Sequence, residues 1–153
     1  MSSLTNDDVP MLRRALARRH HVIGWSAVLV FLSLGAFLEA MHGFKVGFYL
    51  DPGNRLRREL WTLAHAHGTL LGLIHVGFAV GVTQFGKWSV GRLKLVSFFL
   101  IDAALLIPLG FFLGGLAPSE GDPWFGILLV PLGALLLFIA VALIIASAVQ
   151  ESD

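Results

Sequence analysis

The sequence predicts an all-α integral membrane protein, a four-transmembrane-helix up-down bundle forming a single membrane domain over 1–153. Three observations carry this expectation. Four apolar stretches each come close to the roughly 20 residues a helix needs to cross a bilayer core. Hydrophobic residues make up 56% of the chain and charged residues 14%, where soluble domains carry about 45–50% and about 25%. The links between the stretches are short, which makes consecutive helices antiparallel neighbours.

The elements follow in order. Residues 1–21 read as a basic cytoplasmic N-terminal segment, in which Asp7, Asp8 and Pro10 mark a helix start and 9–21 forms a basic interfacial helix. The spans are expected at 22–42, 60–83, 94–117 and 124–149. The first is too long for a signal-peptide core of about 7–15 residues, and no small-x-small cleavage site follows it, so it counts as a helix of the mature protein. Asp51-Pro52-Gly53-Asn54 is a turn, with Asn54 as the cap of the second helix. Gln84 to Gly91 is a short polar link, and Pro118-Ser119-Glu120-Gly121-Asp122-Pro123 is a tight acidic turn. Gly68 and Gly72, like Gly77 and Gly81, have the small-xxx-small spacing that lets helices approach closely.

Basic residues set the orientation. Arg13, Arg14, Arg18, Arg19, Lys87, Arg92 and Lys94 fall on one side, seven in all, against Lys45, Arg55, Arg57 and Arg58 on the other. That bias places both termini in the cytoplasm, in what reads as a bacterial inner membrane. The net charge of +1 gives no reason to expect a nucleic-acid partner. The absence of cysteine excludes disulfides, thiolate metal sites, iron–sulfur clusters and cysteine nucleophiles. The glycines have helix-packing spacing and form no phosphate-cradling loop, and no nucleophile arrangement is recognisable, so no catalytic residue is assigned.

Ionisable side chains inside a span are costly and are functional candidates by default. Here they are Glu39 and His42, then His65, His67 and His75, then Asp102. With a rise of about 1.5 Å per residue, Glu39 and His65 lie about 10 Å from mid-membrane toward the outer face, His67 about 7 Å and His42 about 15 Å. These four form one outer layer. His75 and Asp102 each fall about 4 Å inward of the midpoint and are expected as a buried polar pair.

Angle separates the chemistries. His65 and His67 point about 160° apart on a regular helix, so one ion cannot take both. Glu39 and His42 share a face, and with one histidine of the second helix they make a donor set of two imidazoles and a carboxylate. Such a set suits iron, copper or zinc. Glu39-Ala40-Met41-His42 has the Glu-x-x-His spacing of di-iron bundles, but those need two such motifs and two further glutamates.

The run Leu63-Ala64-His65-Ala66-His67-Gly68-Thr69-Leu70-Leu71-Gly72 resembles one helix of the haem–copper oxidase family. In that family a His-x-His pair offers its imidazoles to two haems on opposite sides. The resemblance implies His65 and His67 as axial haem ligands, with His42 and His65 a candidate pair for a single haem. The family's copper-binding histidines have no counterpart here, so what it implies is haem or metal binding and not oxygen or nitric oxide reduction. The chain as a whole looks like small bacterial four-helix membrane proteins.

Three uses are therefore expected from the residues. One is a haem or transition-metal site at Glu39, His42, His65 and His67, for electron transfer or metal handling. Another is a small structural or assembly subunit, acting in a homo-oligomer or a larger membrane complex. The last is a proton or ion pathway through His75 and Asp102.

Overall fold

The computed structural model describes residues 9–119 and 121–150. Asp7, Asp8 and Glu120 lie outside the described residues. The elements are α1 (Val9–Gly43), a short α2 (Gly47–Leu50), α3 (Arg55–Gln84), α4 (Val90–Gly114) and α5 (Leu129–Val149). Single 3₁₀ turns precede α3 at Pro52–Asn54 and α5 at Phe125–Leu128. Four helices are long and apolar enough to cross a membrane, as the apolar stretches require.

The boundaries differ from the sequence reading for local reasons. Residues 9–21 are continuous with the first span and form no separate interfacial helix. Pro10 is the only helix breaker there, and it sits in the first turn, where no intrahelical N–H is needed. The helix α3 starts five residues before position 60. Asn54 does not cap it through its side chain, which instead donates to Phe48 O at 2.8 Å. The side chain of Asp51 closes this turn by accepting from Gly53 N at 2.8 Å. The helix α4 starts at Val90 because Ser89 caps it, its hydroxyl accepting from Arg92 N at 3.3 Å. At the acidic turn, Ser119 and Asp122 exchange backbone hydrogen bonds of 3.1 and 2.8 Å around Gly121, whose φ of +91° favours glycine.

The four long helices run alternately up and down and pack in chain order, α1 on α3, α3 on α4 and α4 on α5, with a smaller α1–α4 contact. Glycine sets two of these crossings. A Cβ on Gly24 would come within 2.7 Å of Gly72 O, so α1 and α3 touch backbone to backbone there. Further along the same seam, Gly68 accommodates the ring of Phe31 and Gly35 that of His65. Between α4 and α5, a Cβ on Gly110 would meet Val130 at 2.8 Å, and one on Gly133 would meet Ile107 at 2.7 Å. Gly77 and Gly81 pack against nothing: added Cβ atoms meet no neighbour within 4 Å. They line an apolar cleft of about 450 Å³ between α3 and α5, together with Phe78, Trp88, Val141 and Ile144.

Arginines staple the helix ends. The last carbonyls of a helix have no intrahelical donor and carry the negative end of its dipole. Arg13 donates to Val82 O (2.6 Å), Phe85 O (3.0 Å) and Gly86 O (3.2 Å) at the end of α3. Arg57 donates to Gly115 O and Leu116 O beyond α4, and Arg58 to Tyr49 O and Asp51 O at the end of α2. Arg92 reaches Ser147 Oγ and Gln150 Oε1 at the end of α5. The residues whose distribution suggested an orientation thus also join neighbouring elements.

Candidate functional site

Three polar side chains from three helices meet at the junction of α1, α3 and α4. They are His20 and His75, both 0% exposed, and Ser97 at 3%. His20 Nδ1 lies 2.7 Å from His75 Nδ1, His20 Nε2 lies 2.8 Å from Ser97 Oγ, and His75 Nε2 lies 3.2 Å from Leu100 O. The rings stack with centroids 4.7 Å apart and planes 19° from parallel, and Phe78 meets His20 edge-on at 4.7 Å. Leu16, Leu93, Val96 and Leu100 belong to the same buried cluster as Phe78.

With both rings neutral, one proton arrangement satisfies every partner. A carbonyl only accepts, so His75 Nε2–H donates to Leu100 O. His75 Nδ1 then accepts from His20 Nδ1–H, which leaves His20 Nε2 to accept from the Ser97 hydroxyl. The result is a directional chain from Ser97 through two imidazoles to a backbone carbonyl.

His75 therefore does not pair with Asp102: both of its nitrogens are already used, one by His20 and one by Leu100 O. Asp102 is half-buried and makes no hydrogen bond or ion pair with the described residues. It lines a cleft of about 460 Å³ between α1 and α4, with Leu16, Arg19, Lys94, Ser97, Phe98 and Ile101. Sequence reasoning missed His20 by assigning 9–21 to the interface, and it missed Ser97 altogether. A signal for His20 was present. Leu16, His20, Gly24 and Val28 form an i, i+4 stripe that is buried along its whole length.

At the opposite end of the bundle the expected outer residues separate. Glu39 and His42 are exposed and line a groove of about 540 Å³ with Tyr49, Arg58, Glu59 and Thr62. His65 lines an adjoining groove of about 240 Å³, which Glu39, Tyr49 and Thr62 also border. His67 faces the other way, with its ring 4.8 Å from that of Phe111 on α4. Glu39 does not pair with Lys45 or Arg58; the ion pair among the described residues joins Arg55 and Glu59 at 2.9 Å. No group of three or more His, Asp or Glu among the described residues is placed to hold a metal ion.

His65 and His67 share one feature relevant to a ligand. His65 Nδ1 lies 2.6 Å from Phe31 O, and His67 Nδ1 lies 2.9 Å from Leu63 O. Both carbonyls can only accept, so each Nδ1 carries the proton and each Nε2 keeps its lone pair. Metal-binding histidines have this arrangement, with the far nitrogen donating to a carbonyl or carboxylate.

No protein-family model matches the chain, and neither do any of the curated proteins or solved structures compared with it.

Proposed function

We propose that this is an integral protein of the bacterial cytoplasmic membrane, with both termini in the cytoplasm, that moves protons through the buried His20–His75 pair. The observation that carries this reading is the hydrogen-bonded chain Ser97–His20–His75, buried where three helices meet. An imidazole can take a proton on one ring nitrogen and release one from the other. Packing alone is a weak reason for burying two of them, since an interhelical hydrogen bond in a membrane protein contributes only about 0.6 kcal/mol on average. The outer half of the pathway is the groove of Glu39, His42 and His65, about 15 Å from His75 along α3 by helical rise. Water or a conformational change carries the proton across that distance.

The test is proton flux into liposomes that enclose a pH-sensitive dye. Expected is a flux abolished in His20→Leu and in His75→Leu, with both variants still folded by thermal unfolding in mild detergent. Flux equal to wild type in both would overturn the reading.

A second reading rests on the free Nε2 atoms of His65 and His67. Here the same bundle binds haem or an iron, copper or zinc ion, with His65, His42 and Glu39 on one side of α3 and His67 on the other. Such a group supplies electron transfer or Lewis-acid chemistry when bound, and the Nδ1 hydrogen bonds fix the orientation of the two rings that would hold it. An optical spectrum and metal analysis of protein purified from cells supplied with haem precursor and metals test it. A Soret band or stoichiometric metal lost in His65→Ala supports this reading. Protein with neither flux nor bound group, recovered in a larger complex, assigns the bundle to assembly instead.

A further inference from the structure

We infer that the α1–α4 cleft is the proton entrance to the histidine pair, with Asp102 as its loading group and Ser97 as the hydroxyl that passes the proton inward. This rests on the proton-moving reading above and adds the route and the side of access. Ser97 belongs at once to the buried chain and to the wall of the cleft: its Oγ lies 2.8 Å from His20 Nε2, and it lines the cleft beside Asp102. The cleft runs from Lys94 to Asp102, eight positions or about 12 Å along α4 by helical rise. Its volume of about 460 Å³ admits water, for which about 30 Å³ per molecule is the liquid share. Its charged groups are Arg19 from α1 and Lys94 and Asp102 from α4, and α3 contributes none. Of these groups only the carboxylate offers lone pairs to which a proton can be added.

The transfer balances. Asp102 takes a proton from hydronium on the side of the α1 N-terminus, leaving neutral water, and becomes a neutral acid. Through water in the cleft it gives that proton to a lone pair of Ser97 Oγ, while the original Ser97 proton moves to His20 Nε2. The Nδ1 proton of His20 moves to His75 Nδ1. Asp102 is again a carboxylate, Ser97 again a neutral hydroxyl, His20 a neutral ring of the opposite tautomer, and His75 an imidazolium still donating to Leu100 O. Every hydrogen bond in the chain survives: those between Ser97 and His20 and between His20 and His75 reverse direction, and His75 Nε2–H goes on donating to Leu100 O. No step needs an oxidant, reductant or second substrate. The direct contact of the two rings leaves no room for a hydrated metal cation between them, so the species carried is the proton.

The chain has no cysteine, so single cysteines report access directly. In vesicles of known orientation, Ile101→Cys is expected to react with a membrane-impermeant maleimide added on the side of the α1 N-terminus, and not from the other side. Leu105→Cys, 60% exposed on the apolar surface of α4, serves as the control and is expected not to react. Flux is expected to fall at least tenfold in Asp102→Asn and to recover partly in Asp102→Glu, and Ser97→Ala is expected to lose flux that Ser97→Thr restores. Ile101→Cys labelled only from the opposite side, or flux kept in Asp102→Asn but lost in His20→Leu, would overturn the entrance and leave the proton reading standing. Flux kept in His20→Leu removes the reading itself.

Discussion

The two ends of this bundle use the same side chain in opposite ways. Near the α1 N-terminus, His20 and His75 have all four ring nitrogens engaged by each other, by Ser97 and by Leu100 O, at zero exposure. Near the other end, His65 and His67 each have Nδ1 engaged by a carbonyl, and no hydrogen bond is made by Nε2. An imidazole with both nitrogens held inside a helix junction can exchange protons only with its fixed partners. One with a free Nε2 beside a groove can take a ligand from outside. The difference comes from where the helices meet: the first pair lies where three helices converge, whereas His65 bonds across to α1 alone and His67 lies beside Phe111 on α4.

The largest effect should come from breaking the inner pair. His20→Ala removes the partner of both Ser97 and His75 Nδ1, and an unsatisfied buried group costs about 1–3 kcal/mol. Thermal unfolding in mild detergent should report a loss in that range beyond the packing lost. The double variant His20→Leu/His75→Leu should be less destabilised than the sum of the single changes, because the orphaned Nδ1 that each single change leaves on the partner ring is absent from it. Additive losses would mean that the rings are not coupled.

Next in size is the seam that joins the two regions. A Cβ at Gly72 would come within 2.9 Å of Gly24 O, so Gly72→Val should separate α1 from α3 at a cost of about 1–3 kcal/mol or more. Gly77→Ala, in the open cleft, should stay within about 0.5 kcal/mol of wild type. Equal effects would dissolve the distinction between a crossing and a cleft.

Arg13 tests whether the basic residues join helices or only orient them. Arg13→Lys keeps the charge but loses the fork that spans three carbonyls, and should cost about 1 kcal/mol with unchanged topology. Unchanged unfolding would reduce Arg13 to an interfacial charge. The smallest effect is expected at the outer end. His67→Ala should cost about 0.5 kcal/mol or less, because its hydrogen bond is exposed and within its own helix. His65→Ala should cost more, about 1 kcal/mol, because its bond reaches across to α1. Reversal of that order would sharpen the case for His67 as the ring held by a bound group.

Much of the architecture was legible in local pattern. Stretches of about 20 apolar residues have one solution in a bilayer, since every backbone group must be satisfied within its own segment. The divergence of His65 and His67 follows from the helical repeat, and the close approach at Gly68 and Gly72 follows from their spacing and lack of side chains. The two glycine pairs have the same spacing, however, and only one lies at a crossing. Nothing within α3 distinguishes them, because the difference lies in the path of α5, which packs on α4 and leaves Gly77 and Gly81 open.

The candidate site was legible only in part. His75 and Asp102 were recognisable as ionisable groups at similar depth, but depth along an axis does not say which face meets which neighbour. The true partner of His75 is 55 positions away in a segment whose arginines suggested an interface, and the partner of His20 in α4 is 77 positions away. By itself the sequence determined four apolar helices, the positions of their links and most of the charged and imidazole side chains within them, because hydrophobic run length and helical period are local properties. Only the tertiary structure decided which histidines close on one another, which keep a free nitrogen and which carbonyls the arginines join. Those choices depend on the rotation and crossing of helices far apart in the chain, set by the packing of all their contacts at once.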